Sequence, residues 1–325
     1  MKSKTKYIAS DEEIIREFAK CGLPAVTAVE PLGGGEFNAA CRVTAGDRDC
    51  VIKIAPPPAA PVLTYERDMM RAEVFWYDRM AAETAVRIPA ILARDFSREI
   101  IGADCFIMEM IRGEPLWTLR GDPAAWERAQ EEKLAMLAQI HGIRGEAFGY
   151  VQGSLYPTWY DAILHMAENL VRDCGALGRE TPGGEKFLRL IRRHRETLLR
   201  APCRMVNFDL WDSNVLCEDG GSLCWIDPER GFWGDPVADL IIPGEGPKAP
   251  LGRKARELAL YNRHAAEPLR AGREECIRYA VAVAYLALVE DVEKYVRYEE
   301  TEENYIRNTV DAADMYAMAF GVLEA

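Results

Sequence analysis

The hydrophobic residues of the chain change their period near residue 110, and a chain that does so cannot fold as one uniform layer. Before that point short apolar runs alternate and are cut by turns: VTAVEPL, Gly33-Gly34-Gly35, NAACRVTA, Gly46-Asp47 and DCVIKIA. A period of two bounded by glycine is the pattern of strands and hairpins. It predicts three strands over 26–55, a loop at the proline-rich 56–61, and two more strands near 87–93 and 104–111. A helix is expected over 65–82, and a capped amphipathic helix at 10–21, where Ser10 and acidic residues lead into Ile14, Ile15 and Phe18. Beyond residue 110 helical patterns dominate, over 123–141, 158–177, 184–199, 252–264, 272–298 and 300–320. The segment 203–243 is an exception of loops and short strands. The expected class is α+β with two lobes, a small antiparallel β-rich N-lobe over 1–110 and a larger, mainly helical C-lobe over 111–325.

Composition narrows the partners. The 325 residues exceed what one compact core usually needs. With 52 acidic against 40 basic residues the net charge is −12, which disfavours the polyanionic partners nucleic acid and membrane surface. The nine cysteines are odd in number and form no C-x-x-C pair, as expected of reduced thiols in a cytosolic protein. The N-terminus MKSKTKYIASDEEIIREF has no apolar signal core, and no stretch approaches the ~20 apolar residues of a membrane helix. A cytoplasmic protein is expected, as monomer or homodimer.

The chemistry concentrates in Val206-Asn207-Phe208-Asp209-Leu210-Trp211-Asp212-Ser213-Asn214-Val215-Leu216, followed by Leu223-Cys224-Trp225-Ile226-Asp227-Pro228-Glu229. Polar groups interrupt apolar sequence at Asp209, Asn214 and Asp227, and buried carboxylates require partners. Phosphoryl transfer needs such a set: one carboxylate to orient a hydroxyl and take its proton, and an amide oxygen and a second carboxylate to fix Mg²⁺ against phosphates.

These segments resemble the catalytic loop H-G-D-x-x-x-x-N and the metal-binding I-D-x-E/D of the aminoglycoside phosphotransferase and fructosamine kinase superfamily, relatives of protein kinases. Gly234-Asp-Pro-Val-Ala-Asp239-Leu240 is similar to that family's G-D-P-x-x-D-L. The resemblance spans about Val26 to Leu240 and implies a protein-kinase-like fold, ATP (or GTP) and Mg²⁺ as cofactors, and a small-molecule acceptor. It makes Asp209 the base, Asn214 and Asp227 metal ligands, and Asp239 a brace for the loop. Asn207 stands where the family usually has His, and Phe208 where a small residue is common. An Asn amide can replace the hydrogen bonds of that His. A nucleotide-binding pseudokinase is the alternative that Asn207 raises.

Lys53 in Cys50-Val-Ile-Lys-Ile resembles the kinase strand lysine that touches the phosphates, with Glu73 on the next helix as its expected partner ahead of Glu66. Gly33, Gly34 and Gly35 fall where kinase-like folds drape a loop over the phosphates, and glycine there would allow positive φ and close approach. The resemblance places the hinge at Met108-Glu109-Met110-Ile111, with adenine on the Glu109 carbonyl and the Ile111 N–H. No histidine pair has metal spacing, and His141 reads as a structural helix-end residue. For the acceptor, Trp211, Glu229, Trp233 and Asp291 are the candidates, Asp291 from an acidic, tyrosine-rich helix suited to cations. Aminoglycosides and other cationic antibiotics come first as acceptors, then sugars, choline-like and amino alcohols. The six residues between Asp227 and Gly234 leave no room for the peptide-docking segment of a protein kinase.

Overall fold

The computed structural model describes residues 6–33, 35 and 37–325. The chain opens with α1 (Asp11–Lys20), started by a reciprocal cap: Ser10 Oγ accepts from Glu13 N at 3.2 Å, and Glu13 Oε2 accepts from Ser10 N at 2.8 Å. Strands β1 (Val26–Pro31), β2 (Ala39–Ala45) and β3 (Arg48–Ile54) follow, then α2 (Met69–Glu83), β4 (Ile91–Asp95) and β5 (Cys105–Glu109). They form one antiparallel sheet in the order β1-β2-β3-β5-β4.

Strand parity decides what this sheet can do. Successive side chains of a strand point to opposite faces. Cys50, Ile52 and Ile54 of β3 therefore pack with Ile14 and Phe18 of α1. Val51 turns the other way, into the core shared with Met69, Trp76 and Tyr77 of α2, and Lys53 shares its parity. A lysine in this strand can face α2 only at the odd positions.

In the first 110 residues two elements differ from the sequence expectation. The helix expected from 65 is one 3₁₀ turn at Thr64–Glu66, and a break at Asp68 (φ 54°) precedes α2. Glu66 is drawn into tertiary bonds, accepting from Leu63 N at 2.8 Å and pairing with Arg297 at 2.5 Å, which overrides local propensity. The strand expected at 87–93 begins only at Ile91, because Pro89 has no N–H for a ladder.

The second part of the chain contains β6 (Gly113–Pro115), α3 (Pro123–Ile140), α4 (Trp159–Ala176), α5 (Pro182–Arg193), α6 (Arg195–Leu198), β7 (Arg204–Val206), β8 (Val215–Glu218), β9 (Leu223–Trp225), β10 (Phe232–Gly234), α7 (Ala255–Asn262), α8 (Arg273–Arg297) and α9 (Glu303–Glu324). The helix expected over 184–199 is divided at His194 into α5 and α6. From Tyr279 to Val289 every residue of α8 is buried, so this helix is the axis around which α4, α5 and α9 pack. Strands β6, β8 and β9 form a small antiparallel sheet and β7 pairs with β10. All nine cysteines are unpaired. Among the described residues no helix is long and apolar enough to cross a membrane.

Candidate active site

The segment 207–214 leaves β7 and returns as β8, and three sets of bonds fix its path. The Asp239 carboxylate accepts from the backbone N–H of Asn207 (2.8 Å) and Phe208 (2.6 Å), and lies 3.1 Å from His141 Nε2. The other His141 nitrogen lies 2.9 Å from the Tyr261 hydroxyl. His141 thus anchors the loop through Asp239, a role its helix-end position does not reveal. Inside the loop Asn207 Oδ1 accepts from Asp209 N at 3.2 Å, and Asn207 Nδ2 has no partner among the described residues. From the other side Asp212 is gripped by Lys133 and Arg120, each at 2.9 Å.

The loop delivers Asp209 to Asn214. Asn214 Nδ2 donates to Asp209 Oδ2 at 2.7 Å and to the Asp209 carbonyl at 3.0 Å, which leaves Asn214 Oδ1 with a long bond from Ser213 Oγ at 3.4 Å. Asn214 and Asp227 come together because β8 and β9 form a hairpin with Val215 opposite Trp225, continued by Ile226 N donating to Asn214 O at 2.9 Å. Asp227 has φ 57°, unusual for a non-glycine residue, and its N–H donates to the Tyr77 hydroxyl at 3.0 Å. Burial raises the Asp209 carboxyl to about 7; Arg230 opposes the shift, and Glu229, Asp227 and Glu293 reinforce it.

Across the cleft Lys53 Nζ lies 2.6 Å from Glu73 Oε1, 2.9 Å from Asp227 Oδ1 and 4.0 Å from Glu229 Oε2. Burial alone would discharge this lysine, but Asp227, Glu73 and Glu229 outweigh it and hold the ammonium well above its ordinary value. Beside it opens a cavity of about 230 Å³ lined by Leu32, Gly33, Gly35, Val51, Met108, Glu109, Ile111, Leu216 and Ile226. Neither Gly33 nor Gly35 has positive φ, and a Cβ on Gly33 would meet nothing within 4 Å, so the chain's own packing does not call for glycine there. Gly34 lies outside the described residues. Glu109 turns its carboxylate to Arg87 at 2.7 Å.

The acceptor candidates separate. Trp211 is 38% exposed and borders a groove beside the loop. Glu229 faces the Lys53 side of the cleft and accepts from Asn38 Nδ2 at 2.7 Å, so it belongs with the cavity. Trp233 is buried in the core: its ring packs edge-on to Trp76 at 4.8 Å, and Gly145 sits so close that a Cβ would lie 2.6 Å from it. Asp291 accepts from Thr181, the cap of α5, at 2.7 Å and from Lys294 at 2.7 Å. The acid of α8 that does reach the loop is Glu293, joined to Arg230 at 3.0 Å, while Arg230 Nε stands 3.8 Å from Asp209 Oδ1. Sequence reasoning missed Lys133, Arg230 and Asn38, and on the acidic helix, where Glu293 also stood, it put Asp291 first. Only Lys133 gives a signal, a charge on the buried stripe Ala129, Lys133, Leu134 and Leu137 of α3.

The site therefore brings together a buried, braced carboxylate, an amide and carboxylate pair, and a buried lysine beside an apolar cavity. Among solved structures the chain resembles a candidate aminoglycoside phosphotransferase from Ralstonia eutropha JMP134 (17% identity, TM-score 0.69, covering 97% of this chain and 98% of that one). It also resembles a candidate fructosamine-3-kinase from Haemophilus somnus 129PT (15% identity, TM-score 0.63, covering 96% and 97%). A third is a thermostable mutant of aminoglycoside phosphotransferase APH(4)-Ia in ternary complex with AMP-PNP and hygromycin B (18% identity, TM-score 0.61, covering 97% of each chain). These likenesses establish a protein-kinase-like fold. No curated protein matches. The sequence pattern of the phosphotransferase enzyme family matches residues 28–276, more than half of the chain and every site residue described above except those of the last helices, and the chain belongs to that family.

Proposed function

We propose that this phosphotransferase moves the γ-phosphoryl group of Mg·ATP (or GTP) to a hydroxyl of a small molecule, with Asp209 as the catalytic base. The contact of Asp209 with Asn214, at the mouth of the hairpin that carries Asp227, supports this reading most. The donors Asn214 Oδ1 and Asp227 are hard oxygens, without thiolate or imidazole, and Mg²⁺ is commonly held by one or two protein carboxylates together with substrate phosphates. A Mg²⁺ there would supply charge neutralisation on the phosphates. The chain's own residues do the rest. Lys53, kept charged by its three carboxylates, binds phosphate oxygens, and Glu73 fixes its direction. Asp209 orients the acceptor hydroxyl and takes its proton as the oxygen attacks phosphorus. The nucleotide would lie in the cavity lined by Gly33, Gly35, Glu109 and Ile111, mostly on residues 1–110, and the acceptor on 111–325.

For the acceptor we favour a cationic molecule, an aminoglycoside or other amine-bearing antibiotic, ahead of a neutral metabolite. Glu290 supports this choice. It stands one helical turn before Glu293 on α8, and its buried Oε2 has no donor among the described residues. Burial, with Asp311 adding to it, raises the Glu290 carboxyl to about 7. An ammonium group would satisfy it. The pseudokinase reading loses ground because Asn207 keeps its backbone bond to Asp239 and bonds Asp209 N itself.

The test is transfer of the γ-phosphoryl group from labelled ATP, with Mg²⁺, to a panel of amine-bearing antibiotics, sugars and amino alcohols. Transfer to at least one acceptor, abolished by Asp209→Asn, is expected. Nucleotide binding without transfer to any acceptor would sink the enzyme reading.

A further inference from the structure

Trp117, Trp126 and Trp211 stand around one groove of about 440 Å³ beside the catalytic loop. Trp117 is 50% exposed and Trp211 38%. Leaving an indole partly in water forgoes part of what burying its apolar surface would gain. A single exposed tryptophan needs no explanation, whereas three lining one groove, two of them exposed, form an aromatic patch of the kind that marks a binding site. The three come from three places: Trp117 from the 3₁₀ turn Leu116–Gly121, Trp126 from the first turn of α3, and Trp211 from the loop itself.

The groove is held in place. Arg120 lies over the Trp126 ring at 5.4 Å and donates to Asp212 at 2.9 Å. The same Asp212 is bound by the buried Lys133. Arg120 thereby ties the turn that carries Trp117 to the loop that carries Asp209. The charges around it are already matched, Arg120 with Asp212 and Arg253 with Glu245, so the groove offers flat apolar faces rather than a net field. Gln130, Ser213 and the edge of Asp212 supply hydrogen-bonding groups around those faces. Aromatic platforms with polar groups at their margin suit a ring with an apolar face and polar substituents. Trp211 follows Asp209 by two residues, which places their Cα atoms within about 7 Å. A molecule whose hydroxyl meets Asp209 can therefore lay a second ring here.

We infer that the groove of Trp117, Trp126 and Trp211 is a second acceptor subsite, taking a sugar, cyclitol or aryl ring carried beyond the reacting hydroxyl. This rests on the proposed function, because it takes the acceptor hydroxyl to sit at Asp209. The ring chemistry common to sugars and aryl groups is what the tryptophans read.

Saturation-transfer NMR and titration with two probes, glucosamine and 2-amino-1-phenylethanol, test it on the whole chain in the presence of Mg·ADP. At least one probe is expected to bind the wild type through its ring protons. Its affinity is expected to fall about tenfold in Trp117→Ala/Trp211→Ala, the loss of two stacking faces. Trp117→Phe, which keeps a stacking face, should restore most of what Trp117→Ala loses, and Mg·ADP affinity should hold in every variant. The stronger probe tells whether the ring is a sugar or an aryl group. Unchanged probe affinity in the double variant, or no ring binding to the wild type, overturns the inference. Probe binding lost in the variant while no acceptor is ever phosphorylated would retain the subsite and reject the phosphotransfer reading, so the two failures differ.

Discussion

Phe208 has φ 63°, a conformation that costs a bulky side chain about 1–2 kcal/mol. Its N–H is spent on Asp239, and its ring lies against Phe232 at 5.1 Å and Tyr285 at 5.7 Å. The turn that presents Asp209 thus needs a left-handed residue, and aromatic packing offsets the strain. This reverses the usual order of substitutions. Phe208→Gly loses the packing but relieves the backbone, while Phe208→Ala loses the packing and keeps the strain. Both should be destabilised by several kcal/mol, with Ala about 1 kcal/mol below Gly in urea unfolding. Equal stabilities would mean that the strain is not stored there. At the next residue, Asp209→Asn should lower transfer by roughly 10²–10⁴ while nucleotide affinity stays within a few fold, measured by initial rates and by titration with Mg·ADP. Asp209, Asn214, Asp227 and Lys53 were legible because each breaks an apolar run, and a polar group buried that way needs a purpose. Asn38, Arg230 and the pairing of Glu293 were not. Asn38 meets Glu229 across 191 residues of chain and Glu293 meets Arg230 across 63, and nothing in local spacing records which residues face each other after folding.

Elements were legible where a periodic stripe ran between a cap and a breaker, as in α1, α3 and α4, each started by a capping side chain. They were misread where a tertiary bond won, as at Glu66, or where one residue divided a pattern, as at His194. Two predictions belong at this scale. Lys133 is a buried cation on α3 whose partner is Asp212 of the 207–214 loop. Lys133→Met leaves that carboxylate with Arg120 alone and should cost about 2–3 kcal/mol, less than the full penalty for orphaning a buried charge. Adding Asp212→Asn should return part of the loss, a coupling read from a double-mutant cycle. The second concerns α1. Glu17 is 1% exposed, and its Oε2 has no donor facing it, so against the Asp95 carboxylate only the protonated acid is satisfied. Burial, with Asp95 beside it, raises Glu17 from 4.5 to about 7. The folded chain therefore binds more protons than the unfolded one between these values. The stability this gives is complete below about 4.5 and lost as pH rises through 7. Asp95, held down by Lys20 and Ser97 against its own burial, contributes the opposite dependence below its ordinary 3.8. Glu17→Gln should flatten the fall between pH 5 and 8, worth about 1 kcal/mol after allowance for nearby solvent, in melts taken across that range. A fall as steep in the variant would assign it to another group.

At the scale of the molecule, the two parts of the chain are joined by buried charge rather than by apolar surface alone. Tyr65 and Glu66, just ahead of α2, bond Glu293 and Arg297 of α8, and Arg230 completes the cluster from the loop after Asp227. On the other side of the cleft Lys53 of β3 reaches Asp227, which rides on the β8–β9 hairpin. The sheet and the helical part therefore meet at two buried ionic clusters, beside the more exposed pairs Arg87–Glu218 and Arg112–Asp49, and Lys53 is the residue that phosphates would share. Its ammonium holds Asp227, Glu73 and Glu229 together; on the proposed reading Mg·ATP would divide those contacts with phosphate oxygens and the metal. Lys53→Met leaves three carboxylates around an empty position, which should destabilise the chain by about 3–5 kcal/mol, as removal of one partner from a buried ionic group does. It should also remove the response to nucleotide. A ligand at a hundred times its Kd adds about 2.7 kcal/mol to the folded state, which for a chain of this length amounts to several degrees in Tm. Wild-type protein is expected to show that rise with Mg·ATP, and less of it with ATP and a chelator. Lys53→Met should show none at concentrations that saturate the wild type. A full rise in Lys53→Met would place nucleotide binding elsewhere and detach the cavity beside Gly33 and Glu109 from the chemistry at Asp209.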